Sequence, residues 1–332
     1  MLYEKKENKK VLCRLCSHNC QILRSKTGIC GVRKNQDGVL QTLVYGQAAA
    51  SAIDPIEKKP LYHFLPGTFS YSLATIGCNF KCGFCQNWQI SQQDHSSDLS
   101  AKKVNLLPDE IIEKAKSANC ASISYTYTEP TIFFEYAYDT ARLAKSHNLK
   151  NIFVTNGYMS KDALKIINPY LDAANVDLKS FREEFYIKNC KAHLGPVLET
   201  IKLMIQLGIW VEVTTLIIPG ENDSQAELKD MANFIASVDI NIPWHISRFH
   251  PDYRFLNYKS TPLKTLELAY NLAKEAGLRY VYLGNVADQN LCTHCYNCKK
   301  LLIERNYLSI LKNNIDKGNC PFCGEKIAGV FI

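Results

Sequence analysis

The 332-residue chain has no apolar run approaching the ~20 residues needed to cross a bilayer, so no membrane partner is expected. Its first residues, Met1-Leu2-Tyr3-Glu4-Lys5-Lys6, lack the apolar segment of a secretory signal, and a cytoplasmic location is expected. A low-complexity linker and an internal tandem repeat are also missing. At 46% apolar composition, this leaves one large core with small appendages rather than two equal halves. The net charge of +7 is uneven. Residues 1 to 40 carry nine Lys/Arg against Glu4, Glu7 and Asp37, leaving +6 there before any metal thiolates are counted. Such an arm is either a solvated face or a surface for RNA or an acidic partner.

Cysteine is what the chain has in excess. Fourteen would suggest disulfides in a small secreted protein, but most fall in groups with ligand-like spacing, as expected of metal sites in a reducing compartment. Cys78-x3-Cys82-x2-Cys85 supplies three thiolates that can hold three corners of a [4Fe-4S] cube. The fourth iron is left open, and open coordination means chemistry. Cys13-x2-Cys16-x3-Cys20-x9-Cys30 places four thiolates within eighteen residues, enough for a structural zinc or a second cluster, with His18 as an alternative ligand in the loop. Cys295-x2-Cys298 and Cys320-x2-Cys323 are two knuckles twenty-one residues apart, a zinc-ribbon pattern for which rubredoxin-like iron is the alternative. Cys292 and His294 read as spectators, and Cys120 and Cys190 as buried or inert thiols.

From Phe69 to Leu283, short β-branched runs alternate with longer amphipathic ones. Strands are predicted at 71–76, 121–126, 151–155, 174–178, 211–218, 244–247 and 280–283, and helices at 108–117, 132–145, 161–167, 196–207, 224–237 and 262–276. Pro108 and Pro262 suit first helical turns, and Gly208 and Gly277 suit the ends. The repeated βα unit predicts an α/β fold with a parallel sheet. Right-handed crossovers curl such units into a full or partial barrel whose reactive face lies at the C-terminal strand ends. Residues 1–60 are expected to form a Cys-rich metal-binding module, 61–290 the barrel and 291–332 the zinc-ribbon-like module.

The segment Cys78-Asn79-Phe80-Lys81-Cys82-Gly83-Phe84-Cys85 resembles the C-x3-C-x-aromatic-C motif of radical S-adenosylmethionine (SAM) enzymes, with Phe84 as the aromatic residue. The stretches Val154-Thr155-Asn156-Gly157 and Val176-Asp177-Leu178-Lys179 resemble those of pyruvate formate-lyase activating enzyme and its relatives. Along nearly its whole length the chain resembles the radical SAM enzymes of the AmmeMemoRadiSam system. The further matches are Gly28-Ile29-Cys30-Gly31-Val32-Arg33, Pro60-Leu61-Tyr62-His63-Phe64, Gln86-Asn87-Trp88, Tyr127-Thr128-Glu129-Pro130-Thr131, Pro243-Trp244-His245 and the terminal ribbon. Ser17, where the family usually has proline, is a departure.

That resemblance implies a partial (β/α)6-type radical SAM barrel, a [4Fe-4S] cluster on Cys78, Cys82 and Cys85, and SAM as cofactor. By the same likeness Lys179 contacts the SAM carboxylate, and Asp177 lies near its amino group or the substrate. Glu129 serves the amino group directly or from behind, although Thr126 and Thr128 stand where a Gly-Gly-Glu-like segment has glycines. Val154 replaces the family's aspartate, so Thr155 and Asn156 complete that strand end, with Asn156 reaching ribose. His245 approaches the ribose or adenosyl group, and the loop 248–253 is the leading substrate contact. The implied activity is reductive cleavage of SAM to a 5′-deoxyadenosyl radical that takes hydrogen from a protein or small-molecule substrate. RNA modification and a non-catalytic metalloprotein are the alternatives. An external donor such as flavodoxin or ferredoxin is implied, and a protein substrate or Memo-like partner is in keeping with it.

Overall fold

The computed structural model describes residues 1–93, 104–286 and 291–331. Eight strands form one sheet in strictly sequential order. They are β1 (Ala50–Pro55), β2 (Phe69–Ala74), β3 (Ser122–Tyr125), β4 (Lys150–Thr155), β5 (Ala173–Asp177), β6 (Trp210–Ile217), β7 (Trp244–Arg248) and β8 (Val281–Gly284). β2 to β8 are parallel, and β1 pairs antiparallel with β2 at the edge. Among the described residues each of the six crossovers holds a longer helix, α1 (Pro108–Ser117), α2 (Phe134–Ser146), α3 (Lys161–Ile167), α4 (Leu194–Gln206), α5 (Gln225–Val238) and α6 (Leu263–Glu275), with the short helices Trp88–Ser91 and Glu183–Phe185 added in the first and fourth. The fold is therefore α/β, with six βα units in a partial barrel.

The helices start where local chemistry permits. Ser160 and Ser224 cap α3 and α5 by accepting from the backbone N–H groups of Ala163 and Glu227, and Pro108 opens α1. The strands alternate with period two, but both rows are buried. Leu73, Ile123, Tyr125, Val176, Val211, Val213 and Ile246 join the apolar core, while Ser70, Ser72, Ser124, Asn175, Glu212 and His245 form a buried polar row at the alternate positions. Ser70 and Ser124 share a hydrogen bond of 2.6 Å, and Asn175 donates to the Pro60 carbonyl at 2.8 Å. These buried serines belong to the barrel's polar row.

The segment after β1 fills that interior. Glu212 accepts from the backbone N–H groups of Tyr62 and His63, at 2.9 and 2.8 Å. The terminal ribbon, whose strands Thr293–His294, Leu301–Asn306 and Ser309–Asn313 form a separate small sheet, packs on the same segment. Arg305 donates to the Tyr62 carbonyl at 2.8 Å, and Leu65 N–H to the Val330 carbonyl at 2.7 Å. At the other end of the chain, the cysteine-rich region carries the three-stranded sheet Tyr3–Lys5, Val11–Cys13 and Gln21–Ile22 and the hairpin Arg33–Gln36 with Val39–Thr42. Its charge is partly spent on folding. Five of the nine cations in residues 1–40 are paired: Lys6 and Arg14 with Glu4, Lys9 and Arg24 with Asp37, and Arg33 with Glu135.

Candidate active site

The loop after β2 carries Cys78, Cys82 and Cys85 to the C-terminal ends of the strands. Two glycines make its path feasible. Gly77 has φ +89°, and a Cβ there would stand 2.7 Å from the Cys30 carbonyl; a Cβ on Gly83 would stand 2.7 Å from the Phe255 ring. A cavity of about 600 Å³ opens beside the loop, lined by the three cysteines together with Thr128, Asp177, Lys179, Thr214 and His245. Residues separated by some 170 positions thus meet at one place, and Phe84, Glu129, Thr155 and Asn156 also border it.

Each thiol has a polar neighbour. Phe80 N–H donates to the Cys78 sulfur at 3.4 Å, Asn156 Nδ2 lies 3.9 Å from it, and Ser91 Oγ lies 3.1 Å from that of Cys85. Burial pushes the Cys78 and Cys85 thiols up; for Cys82 the first cause is its contact with Cys190, then burial. Metal binding here must therefore displace protons, as thiolate ligation does generally. Cys190 was expected to be a buried or inert thiol. It is wholly buried, its thiol meets Cys82, and its carbonyl accepts from Lys81 N–H at 2.8 Å. The short helix Glu183–Phe185 and its continuation as a π-turn over Tyr186–Cys190 bring it there, an element the periodicity does not show.

Asp177 and Lys179 form an ion pair of 2.8 Å on the cavity wall. Burial disfavours the Lys179 ammonium, but Asp177 and the neighbouring thiols outweigh it and hold the pKa well above the ordinary lysine value. Glu129 was expected to serve the SAM amino group directly or from behind, and its oxygens are held by protein donors. One oxygen accepts from Thr131 N–H, Thr131 Oγ1 and Thr155 Oγ1 at 3.0, 2.5 and 2.8 Å, and the other from Asn156 N–H at 2.8 Å. Burial pushes its pKa up while these donors pull it down. Its capacity is largely consumed in tying the β3 loop to the end of β4. Asn156, expected near ribose, is similarly engaged: Nδ2 donates to Asn79 Oδ1 at 2.8 Å and Oδ1 accepts from Tyr158 N–H at 3.1 Å. Thr128 Oγ1 donates to the Thr75 carbonyl at 3.0 Å.

His245 lines the cavity, but its Nε2 is bonded to Glu212 at 2.7 Å and its ring stacks on Tyr282. Phe84 is buried against Phe185 and Phe255, with the Lys179 ammonium 5.9 Å from its ring centre. The 248–253 loop, expected to contact substrate, does not line the cavity and instead braces the cysteine loop: Tyr253 stacks on Trp88 at 5.0 Å, and His250 meets Gln86 at 3.0 Å. Sequence reasoning overlooked Lys59. It lines the cavity almost fully buried, 2.6 Å from Asp54 Oδ2 and 4.6 Å from the Tyr127 ring centre, and burial lowers its pKa to about 8 against the pull of Asp54. The hydrogen bond from Tyr127 to Asp54 completes this group.

The residues present fit an iron cluster with an amino-acid-bearing cofactor. Three thiols face a shared cavity, an adjacent cation–anion pair matches a zwitterion, and the buried Thr214 Oγ1 lacks a partner among the described residues. The terminal cysteines have a different geometry. Cys295 to Cys323 and Cys298 to Cys320 are each 3.7 Å apart, and all four sulfurs lie within 4.8 Å of one another. Four thiolates about 2.3 Å from a zinc stand roughly 3.8 Å apart, so this set fits the zinc-ribbon-like module. Cys292 stays outside, its sulfur accepting from Arg305 N–H at 3.4 Å, and His294 is exposed.

Residues 73–235 match the radical SAM superfamily. An uncharacterized protein of Methanocaldococcus jannaschii is 46% identical over 331 residues, covering 98% of each chain. A second protein of that organism, whose name proposes glycyl-radical enzyme activation, is 29% identical over 65% of this chain and 79% of its own. Streptococcus suis SuiB bound to S-adenosylmethionine shares the fold at 13% identity and a TM-score of 0.52, over 69% of this chain and 53% of that one. A radical SAM methyltransferase from Sphaerobacter thermophilus does so at 14% identity and 0.51, over 66% and 67%. With this match running from the end of β2 into α5, and the cysteine loop at the strand ends, the chain carries a radical SAM domain, the domain of enzymes that use a [4Fe-4S] cluster and SAM.

Proposed function

We propose that this protein is a radical SAM enzyme of the pyruvate formate-lyase activating type, related to the AmmeMemoRadiSam enzymes, acting on a protein or small-molecule substrate. The observation that carries the reading is the one cavity shared by Cys78, Cys82 and Cys85 and the Asp177–Lys179 pair. The cluster and SAM, when bound, supply reductive cleavage of the sulfonium and a carbon-centred radical able to take hydrogen from an unreactive C–H bond. Radical SAM enzymes draw the electron for this from an external donor.

The chain's own residues hold and shield. Lys179 pairs with the SAM carboxylate and Asp177 with its amino group, each exchanging its present partner for the matching end of a zwitterion at little electrostatic cost. Glu129 acts as a positioning residue, fixing Thr155 and the backbone of Asn156 beside Cys78. Phe84, Phe185 and Phe255 keep water from one flank of the cysteine loop. The division into a cysteine-rich module over 1–60, a barrel over 61–290 and a ribbon over 291–332 accompanies this reading, except that β1 (Ala50–Pro55), within the first span, pairs into the barrel's sheet; the boundary at 290 falls outside the described residues. The AmmeMemoRadiSam relation draws support from Pro60-Leu61-Tyr62-His63-Phe64, which fills the barrel's interior and docks the ribbon. Five paired cations in the basic arm favour a protein or small molecule over RNA.

The test is anaerobic cluster reconstitution followed by dithionite and SAM, with 5′-deoxyadenosine as the readout. The product is expected, and Cys82→Ala should abolish it while leaving the terminal zinc bound. A fully reconstituted, reduced protein that forms none overturns the reading.

A further inference from the structure

The chain has three cysteine groups, and their sulfur spacing separates them into two kinds. The terminal four are drawn together to within 4.8 Å, and among the described residues no other set of three or more Cys, His, Asp or Glu ligand atoms is so close. The catalytic triad is therefore more open than a zinc tetrahedron, as a cube requires, because each thiolate binds a different iron. No three of Cys13, Cys16, Cys20 and Cys30 are drawn that close either. They surround a second cavity with an apolar wall of Leu15, Ile22, Ile29 and Ile132. Asn79 lines it too, and its buried Nδ2 has no partner among the described residues, leaving an amide donor for a sulfur acceptor.

The placement of this cavity is as informative as its spacing. The Cys30 carbonyl abuts Gly77, the residue before Cys78, and His18 Nε2 is bonded to the carbonyl of Asn79, the residue after it, at 2.8 Å. Asn79 in turn accepts from Asn156 of the active-site wall. Ser17 N–H donates to the Tyr158 carbonyl at 3.0 Å, joining the two regions from the other side. A redox-silent zinc would need only to hold the N-terminal strands, whereas a cluster here contacts the catalytic loop on both flanks of its first ligand.

We propose that Cys13, Cys16, Cys20 and Cys30 bind a second [4Fe-4S] cluster, fully ligated by protein, that passes electrons to the catalytic cluster. An external one-electron protein donor is oxidised by one electron, the N-terminal cluster is reduced and then reoxidised, and the electron reaches the cluster on Cys78, Cys82 and Cys85. This rests on the reading of the triad as the catalytic site, and metal analysis separates the two.

The whole reconstituted protein should contain roughly eight iron atoms and one zinc per chain. The triple variant Cys78→Ala, Cys82→Ala, Cys85→Ala should retain roughly four iron atoms and, after dithionite, the electron paramagnetic resonance of a reduced [4Fe-4S] cluster. Cys20→Ser should lose that half of the iron and slow reduction of the remaining cluster by reduced flavodoxin, while dithionite still reduces it. Four iron atoms with two zincs in the parent protein overturn the proposal without touching the triad assignment. An iron-free triple variant from a parent holding four does the same. Equal flavodoxin rates in parent and Cys20→Ser overturn the relay. A parent with four iron atoms that survive in the triple variant overturns the triad reading instead.

Discussion

Replacing Glu212 with Gln should unlock the barrel's interior without changing its shape. The carboxylate is completely buried and accepts four bonds: Tyr62 N–H and His245 Nε2 on one oxygen at 2.9 and 2.7 Å, His63 N–H and Trp210 Nε1 on the other at 2.8 and 3.0 Å. The amide must face one of these pairs with its own N–H groups. His245 can adapt by presenting an unprotonated nitrogen, but the backbone N–H of Tyr62 or His63 cannot. A lost bond with a stranded buried donor costs about 1–3 kcal/mol, and removing the charge from the remaining bonds costs about 1–2 kcal/mol more. At an unfolding entropy near 2.1 cal/mol/K per residue, a total of about 3.5 kcal/mol lowers Tm by about 5 °C for a chain of this length.

The effect also has a pH signature. Burial opposes ionisation of Glu212, but His245, His63 and Trp210 win and hold its pKa below the ordinary 4.5. A carboxylate depressed by folding contributes stability above its unfolded pKa and loses it as pH falls through the folded value. The gap between parent and Glu212→Gln is therefore full at neutral pH and narrows below 4.5. Differential scanning calorimetry at pH 7 and at pH 4 measures both. A variant melting within about 1 °C of the parent at pH 7, or a gap that widens in acid, refutes the reasoning.

Lys179→Met should weaken SAM binding about ten- to a hundredfold by removing one charge-assisted bond, and equilibrium dialysis on reconstituted protein checks it; an unchanged Kd removes Lys179 from the site. Lys59 has a pKa lowered by burial from an ordinary 10.5 to about 8, so between those values the unfolded chain keeps a proton that the folded chain has released. Stability from this group therefore rises with pH across that window and is lowest below pH 8. Lys59→Met should flatten that rise in denaturant titrations. Cys298→Ser should release the ribbon's zinc and speed hydrogen exchange at Leu65, whose N–H is held by Val330; zinc loss with unaltered protection there contradicts the docking described above.

Much of the barrel was legible because its boundaries carry local chemistry. The helices at Pro108–Ser117 and Lys161–Ile167 lie at the expected residues, started by Pro108 and by the Ser160 cap. The edge strand Ala50–Pro55 was not legible: it is mostly small or polar, its Ile53 faces out, and pairing with β2 rather than its own pattern makes it a strand. The site divides in the same way. Asp177 ends β5 and Lys179 lies two residues on, and alternation places both on one side. Glu129 and Asn156 both border the cavity, but the bond between them was not legible, because hydrogen-bond partners 27 residues apart have no local signature.

Cysteine spacing is a short-range property, and the sequence by itself determined that there are three cysteine groups and that one has three members where the others have four. Strand alternation, equally local, determined a parallel barrel with that group at its mouth. Only the tertiary structure decided what surrounds them: Cys190 beside Cys82, Lys59 against Asp54, Glu212 binding Tyr62, His63 and His245, and the N-terminal cysteines pressed on the catalytic loop. Those contacts join residues tens to more than a hundred positions apart. Their partners are set by packing geometry and the need to satisfy buried polar groups, which no window of sequence contains.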